Sequence, residues 1–334
     1  MTTILYAEKP YPDDSVERDV YGPDARILMR AAGTIADLSD EDCAEADGIM
    51  FLRHWLTAAD FPRFKKLRVV LRMGVGYDRI DRVAAAAHGV MVCNVPDYGT
   101  MEVADHAMAM ALGLRRGLFL YHETQRHDPA EPWAFIRTPL LRRMGTQTFG
   151  IVGLGRIATA VALRARAFGF DVVIYDPHVP NGTELGVGVR RARTLEEMLP
   201  QCDVLSLHVP LTAETRGMIG ARELAMLRPG AVVVNTARGP SLDLDALHDA
   251  IKSGHIAGAG LDVLPIEPPA DPIPELLRAY RAHEPWLEGR LVITPHAAFF
   301  SPESWEDIRR KSAETMAAAL FSNTPQNVIT PEMA

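Results

Sequence analysis

Short apolar runs recur along this chain, separated by stretches where apolar and polar positions follow helical spacing. Runs at residues 4–7, 27–29, 48–52, 69–73 and 90–93 read as strands, with the clearest helical pattern among them at 79–88. A second series starts at Thr148 and continues through 172–175, 204–207, 231–235, 257–261 and 291–294, with helical patterns such as 242–253 between. Strands that alternate with helices predict parallel sheets covered by helices. The expected fold class is α/β, with two doubly wound parallel-sheet units.

Between the two series, residues 101–114 are apolar nearly all round, which predicts a helix buried at an interface. Thr100 is a plausible N-cap and Glu102 lies in the first turn. After the last strand, Ser301, Pro302 and Glu303 open another helix that runs to about Leu320. Its return to the first unit makes that unit discontinuous: 1–99 with 297–334, around a second unit of 100–296. The proline-rich piece 265–274 reads as loop, and 276–287 as a short amphipathic helix. A length of 334 residues suits two domains and predicts a cleft between them.

The run GIVGLGRIA, from Gly150 to Ala158, changes the picture most. It follows an apolar run, opens the helical pattern 157–168, and precedes by about twenty residues a second strand that ends at Asp176. Strand, glycine turn, helix, strand and terminal acid make a dinucleotide-binding unit. Gly153 permits the tight turn, and Gly155 lets backbone N–H groups approach a pyrophosphate at the positive end of the helix. Asp176 lies where a carboxylate accepts from the adenosine ribose hydroxyls. Ala158 takes the third glycine position as a tolerated small residue.

Composition narrows the classes. The net charge of −8 argues against a nucleic-acid or anionic-membrane partner, since neutralising phosphates takes a basic face. The arginine groups at 190–193 and 309–311 read as solvated helix and loop faces. Cys43, Cys93 and Cys202 lack metal-like or redox-pair spacing and read as reduced, partly buried thiols, and no metal set is expected. No secretory pattern opens the sequence and no apolar run reaches membrane-spanning length, so the expected localisation is cytoplasmic.

Three polar residues follow strand-like runs in the second series, at the strand ends where open parallel sheets bind ligands. Arg238 could clamp a carboxylate with its planar fork. His296 could exchange a proton with an alcohol or carbonyl oxygen, and Glu267 beside it would favour imidazolium. Each has a blander reading, as a surface ion pair, a solvated loop or a structural side chain. Joined around one nicotinamide, they specify hydride transfer to a keto acid.

At this point the chain resembles the D-isomer-specific 2-hydroxyacid dehydrogenases, from about Gly48 to Ser312. The motifs are RMGVGYD from Arg72, NVP from Asn94, EVADH from Glu102, GLGRIA from Gly153, HVPLT from His208, NTARG from Asn235, GLDV from Gly260 and PHAA from Pro295. The stretch between Glu267 and His296 looks like the branch that contains the C-terminal-binding-protein corepressors and their bacterial relatives. The resemblance implies a flavodoxin-like substrate domain, a Rossmann NAD-binding domain, and Arg238, Glu267 and His296 as the catalytic set. It implies that Arg72, Gly74, Val75 and Gly76 hold the substrate carboxylate. For NAD (NADH) it implies contacts from Val103, Gly153, Leu154, Gly155, Arg156, Ile157, Asp176, His208, Val209, Pro210, Thr215, Thr236, Ala237, Arg238, Asp262 and His296, with Asp262 near the nicotinamide carboxamide. Val75 and Val103 stand where some relatives carry hydroxyls, so packing or backbone contacts are expected there. Phe299 replaces a tryptophan that shapes the corepressors' pocket.

The reading that follows is an NAD-dependent oxidoreductase interconverting a 2-keto acid and a D-2-hydroxy acid, with His296 as acid and base. The rivals are an NADH-responsive dimeric scaffold and a dehydrogenase of another small anion. Glu267 argues against formate, and Val75 stands where phosphite enzymes typically carry lysine. A homodimer is expected, because residues 117–144 carry Leu118, Phe119, Leu120, Tyr121, Trp133, Phe135, Ile136, Leu140 and Leu141 outside both sheets.

Overall fold

The computed structural model describes residues 1–127 and 133–333. Two compact units result: Met1–Gly99 with Phe300–Ala334, and Thr100–Phe299. Both have the parallel sheets that the alternating pattern predicts.

The first unit holds β1 (Thr2–Tyr6), β2 (Ala25–Met29), β3 (Gly48–Phe51), β4 (Val69–Arg72) and β5 (Met91–Asn94), in the order β2-β1-β3-β4-β5. All pairs are parallel, with Ile4 opposite both Ile27 and Gly48. This is the flavodoxin-like order, with its reversal between β1 and β3. Strands β3 and β4 are buried at every position, as expected where helices cover both faces. The helix Pro302–Leu320 packs on the helix Ser15–Tyr21, β4 and β5. Its start is fixed by Ser301, whose Oγ accepts the Ser304 N–H at 3.0 Å. Arg309 on it meets the buried Glu17 at 2.6 Å and lies 4.5 Å from the Tyr11 ring centre, so the burial of Glu17 is compensated. Residues beyond this helix close the sheet's edge: Ile329 donates its N–H to Val92 at 2.8 Å, and Val328 bridges Cys93 antiparallel.

The second unit holds β6 (Thr148–Val152), β7 (Asp171–Tyr175), β8 (Arg190–Arg191), β9 (Val204–Leu207), β10 (Ala231–Asn235), β11 (Ile256–Leu261) and β12 (Leu291–Ile293). Their order is β12-β11-β10-β9-β6-β7-β8, all parallel, which is the Rossmann arrangement extended by one strand. The order reverses between β6 and β9, and the helix Arg156–Ala167 starts directly above that point. The helix Thr100–Arg115 packs on this helix, β10 and β11. Its approach is close: a Cβ on Gly260 would stand 2.9 Å from Met110 Cβ.

Local capping explains where elements depart from the periodic reading. The pattern at 79–88 narrows to Arg82–Ala87, because the Asp81 carboxylate accepts the Ala84 N–H at 2.9 Å and sets the start. The pattern at 276–287 splits into Glu275–Arg281 and a 3-10 turn Pro285–Leu287, since His283 takes a left-handed φ of 54° before Pro285. Arg190 and Arg191, read from sequence as solvated faces, form the short edge strand β8. Arg190 reaches back to Asp171 at 2.5 Å, while Arg191 donates to the Asp176 and Val179 carbonyls. Cys43, Cys93 and Cys202 are free and fully buried, and burial pushes the Cys93 and Cys202 thiols up to about 11 and about 12. Among the described residues, no helix is long and apolar enough to cross a membrane.

Candidate active site

The glycine turn between β6 and the helix Arg156–Ala167 is built as its sequence requires. Gly153 has φ 89°, and a Cβ there would meet the His208 carbonyl oxygen at 2.7 Å. A Cβ on Gly155 would meet nothing within 4 Å, so space stands open at the N-terminus of a twelve-residue helix. Arg156 is exposed there, whereas Leu154 and Ile157 turn toward the core. Asp176, one residue past β7, accepts the Leu154 N–H at 2.8 Å on Oδ2 and the His178 N–H at 2.8 Å on Oδ1. The acid and the glycine turn are therefore bonded together. A hollow of about 440 Å³ opens beside Asp176, lined by Pro177, Val179, Pro180, Asn181, Arg191 and Arg193.

Past β9, the His208 ring lies 2.8 Å from Ser206 Oγ, and burial holds its proton affinity down at about 4, so the imidazole is neutral near pH 7. Val209 and Pro210 follow. Thr215 Oγ1 donates to the Pro210 carbonyl at 2.6 Å and closes that loop on itself. Past β10, Asn235 fixes the turn that presents Arg238: its Oδ1 accepts the Ala237 N–H and its Nδ2 donates to the Arg238 carbonyl, both at 3.0 Å. Ser241 Oγ donates to the same carbonyl at 2.7 Å. The hydroxyl of buried Thr236 has no hydrogen-bond partner among the described residues. A buried donor left so is costly unless a ligand meets it, and together with the open glycine turn this fits a bound dinucleotide. Val103 is buried in the first turn of the helix Thr100–Arg115 and offers packing only.

Glu267 and His296 are brought together. His296 Nδ1 lies 2.7 Å from Glu267 Oε2, and Glu267 Oε1 accepts the Leu264 N–H at 2.9 Å. A carboxylate can only accept, so Nδ1 carries hydrogen and Nε2 is left as the nitrogen able to exchange a proton. His296 adopts φ 54°, a left-handed conformation that costs a non-glycine residue about 1–3 kcal/mol and is held by its surroundings. Its N–H donates to the Asp262 carbonyl at 2.7 Å, and the Asp262 carboxylate accepts the N–H groups of Ala297 at 2.9 Å and Ala298 at 3.1 Å. The Asp262 side chain is also bonded to Thr294, which lies 3.0 Å from His106. Neither Thr294 nor His106 was given a role from sequence, where one is a strand-end hydroxyl and the other the last residue of the EVADH run. Asn235 and Ser241 had only a turn-forming signal.

In the first unit, Arg72 ends β4 and is buried at 9% exposure. Its guanidinium fills the space that a Cβ on Gly74 would need, and Gly74 has φ 147°, so only glycine fits. The loop behind it is tied to the end of β5: Val95 N–H donates to the Gly74 carbonyl at 3.0 Å, and Asn94 Nδ2 to the Val75 carbonyl at 2.6 Å. Gly76 follows, half-buried.

This geometry agrees with comparisons to known proteins. The sequence model described as "D-isomer specific 2-hydroxyacid dehydrogenase, NAD binding domain" matches residues 108–298. A D-3-phosphoglycerate dehydrogenase of Mycobacterium bovis is 34% identical over 329 residues, which cover 96% of this chain and 57% of that protein. The chain thus spans little more than half the length of such curated relatives. A D-lactate dehydrogenase from Aquifex aeolicus, solved with NAD and lactic acid, superposes with TM-score 0.81 at 26% identity, covering 99% of this chain and all of that one. A glyoxylate reductase from Paecilomyes thermophila gives TM-score 0.85 at 25% identity, over 99% of this chain and 98% of the other. Fold, nucleotide turn and matched motifs agree, and the chain belongs to the D-isomer specific 2-hydroxyacid dehydrogenase family.

Proposed function

We propose that the protein is an NAD-dependent D-2-hydroxyacid dehydrogenase that reduces a 2-keto acid or runs the reverse. The observation that carries this reading is the Glu267–His296 pair in a Rossmann domain where the turn just past β10 presents Arg238. A bound nicotinamide dinucleotide supplies the hydride. In reduction, Nε2 of His296 gives its proton to the carbonyl oxygen, while Nδ1–H stays bonded to Glu267 and fixes the ring. Arg238 orients the carboxylate and stabilises charge that develops on that oxygen. Arg72, with the main chain of Gly74, Val75 and Gly76, grips the carboxylate. Gly153, Leu154, Gly155, Arg156 and Ile157 hold the pyrophosphate, Asp176 the ribose, and Val103, His208, Val209, Pro210, Thr215, Thr236, Ala237 and Asp262 the remainder. Initial rates of reduction for a panel of 2-keto acids with NADH and with NADPH, and of phosphite oxidation with NAD⁺, test it. Turnover of 2-keto acids is expected, and a chain that turns over none overturns the reading.

The exposed apolar residues Leu118, Trp133 and Phe135 support a homodimer as the working form. The three buried free thiols and the net charge of −8 support a cytoplasmic enzyme without nucleic-acid or membrane partners.

A further inference from the structure

The loop that carries His296 converges on one buried acid. Asp262 ends 2% exposed, one residue beyond β11. Its Oδ1 accepts from Thr294 Oγ1 at 2.5 Å and from the Ala297 N–H at 2.9 Å, and its Oδ2 accepts from the Ala298 N–H at 3.1 Å. Its carbonyl accepts the His296 N–H at 2.7 Å. Donors from residues 294, 296, 297 and 298 thus meet a single residue and enclose the left-handed backbone of His296. An ionised carboxylate is buried without large penalty only when it is bonded this fully.

Thr294 has one hydroxyl proton and directs it at Asp262. His106 Nε2, 3.0 Å from the same oxygen, must therefore be a donor and carry hydrogen. It also stands 4.0 Å from Asp262 Oδ1. The helix Thr100–Arg115 thereby supplies an N–H that orients the threonine hydroxyl, which in turn fixes the acid.

We propose that Thr294 and His106 are positioning residues for His296, acting through Asp262. They hold the loop so that the imidazole keeps its place against Glu267 and its Nε2 in the attack line. The kinetic part of this role rests on the dehydrogenase reading, while the structural part does not.

The test compares Thr294→Val, which keeps shape and loses the hydroxyl, with Thr294→Ser, which keeps the hydroxyl. Amide exchange at Ala297 and Ala298 is measured in both, with kcat, KM and the NADH Kd from fluorescence titration. Thr294→Val should speed exchange at both amides and lower kcat on the order of tenfold, the scale of one buried hydrogen bond. KM and the NADH Kd should move far less, and Thr294→Ser should restore exchange and kcat. His106→Leu should repeat the valine pattern. Wild-type exchange at both amides in Thr294→Val overturns the proposal, as does a loss of kcat that serine fails to restore. A wild-type protein inactive on every keto acid sinks the dehydrogenase reading alone, and the exchange comparison still decides the loop.

Discussion

His296 Nδ1 sits 2.7 Å from Glu267 Oε2, although the two residues are 29 positions apart in the chain. One ring nitrogen is committed to the carboxylate, which leaves the other for proton transfer in the proposed reaction. His296→Gln should lower kcat for keto-acid reduction by roughly 10²-fold or more, the scale of a positioned acid, with little change in NADH affinity. Glu267→Gln keeps an acceptor for Nδ1–H and removes the charge. Its kcat/KM for reduction should fall, because the charge-assisted bond that fixes the ring is gone. Near wild-type turnover in the histidine variant, or unchanged kcat/KM in the glutamine variant, would refute these roles.

Cofactor choice rests on Asp176. Its oxygens already hold the Leu154 and His178 N–H groups, and on the proposed reading this fixed carboxylate repels a 2′-phosphate. NADH should exceed NADPH in kcat/KM, and Asp176→Ala should narrow that gap. Arg191 is occupied by main-chain carbonyls, and Arg193 lines the hollow beside the acid. Arg193→Ala should then weaken whatever NADPH activity the alanine variant gains. Equal efficiency with both cofactors in the wild type would remove Asp176 from the ribose site.

His208 carries a pH signature of its own. Burial lowers its proton affinity from the ordinary 6.5 to about 4, so the unfolded chain takes up its proton first as pH falls. The stability tied to its neutral form is whole above about pH 6.5 and is lost as the pH drops toward 4. Thermal midpoints measured across that window should fall, and His208→Asn should flatten part of the fall. Parallel curves for the two proteins would show that the ring is not desolvated.

The arm that precedes β6 should join two copies. Trp133 is 94% exposed and Phe135 75%, while Leu140 close by is buried, so this segment presents apolar area outward. Sedimentation at micromolar concentration should give about twice the chain mass, and Trp133→Ser with Phe135→Ser should shift the balance to monomer. A wild-type monomer, unchanged by NADH, would end both this prediction and the scaffold alternative. Residues 128–132 of the arm lie outside the described residues.

Both sheets were readable because buried parallel strands write themselves as apolar runs, and the glycine turn because only particular residues permit it. Gly153, Asp176, Arg238, Glu267 and His296 each carried a chemical or conformational signal at a strand end. Thr294 carried none and His106 only its place at the end of the EVADH run: neither has an assigned contact until the fold sets them 3.0 Å apart. Strand β8 was hidden for another reason, since two edge arginines have no apolar alternation to show. The split at 276–287 depended on one backbone conformation, at His283, which periodicity does not encode.

The first unit takes its final helix, Pro302–Leu320, from beyond the whole of the second. During synthesis the contiguous second unit, Thr100–Phe299, therefore has every strand it needs while the first still lacks the helix that covers β4 and β5. Strands made before the second unit must wait for a helix made after it, with the apolar face of β4 and β5 open in the interval. A premature stop shortly after residue 300 would thus spare the nucleotide fold and expose the first unit's sheet, an aggregation hazard distant in sequence from the lesion.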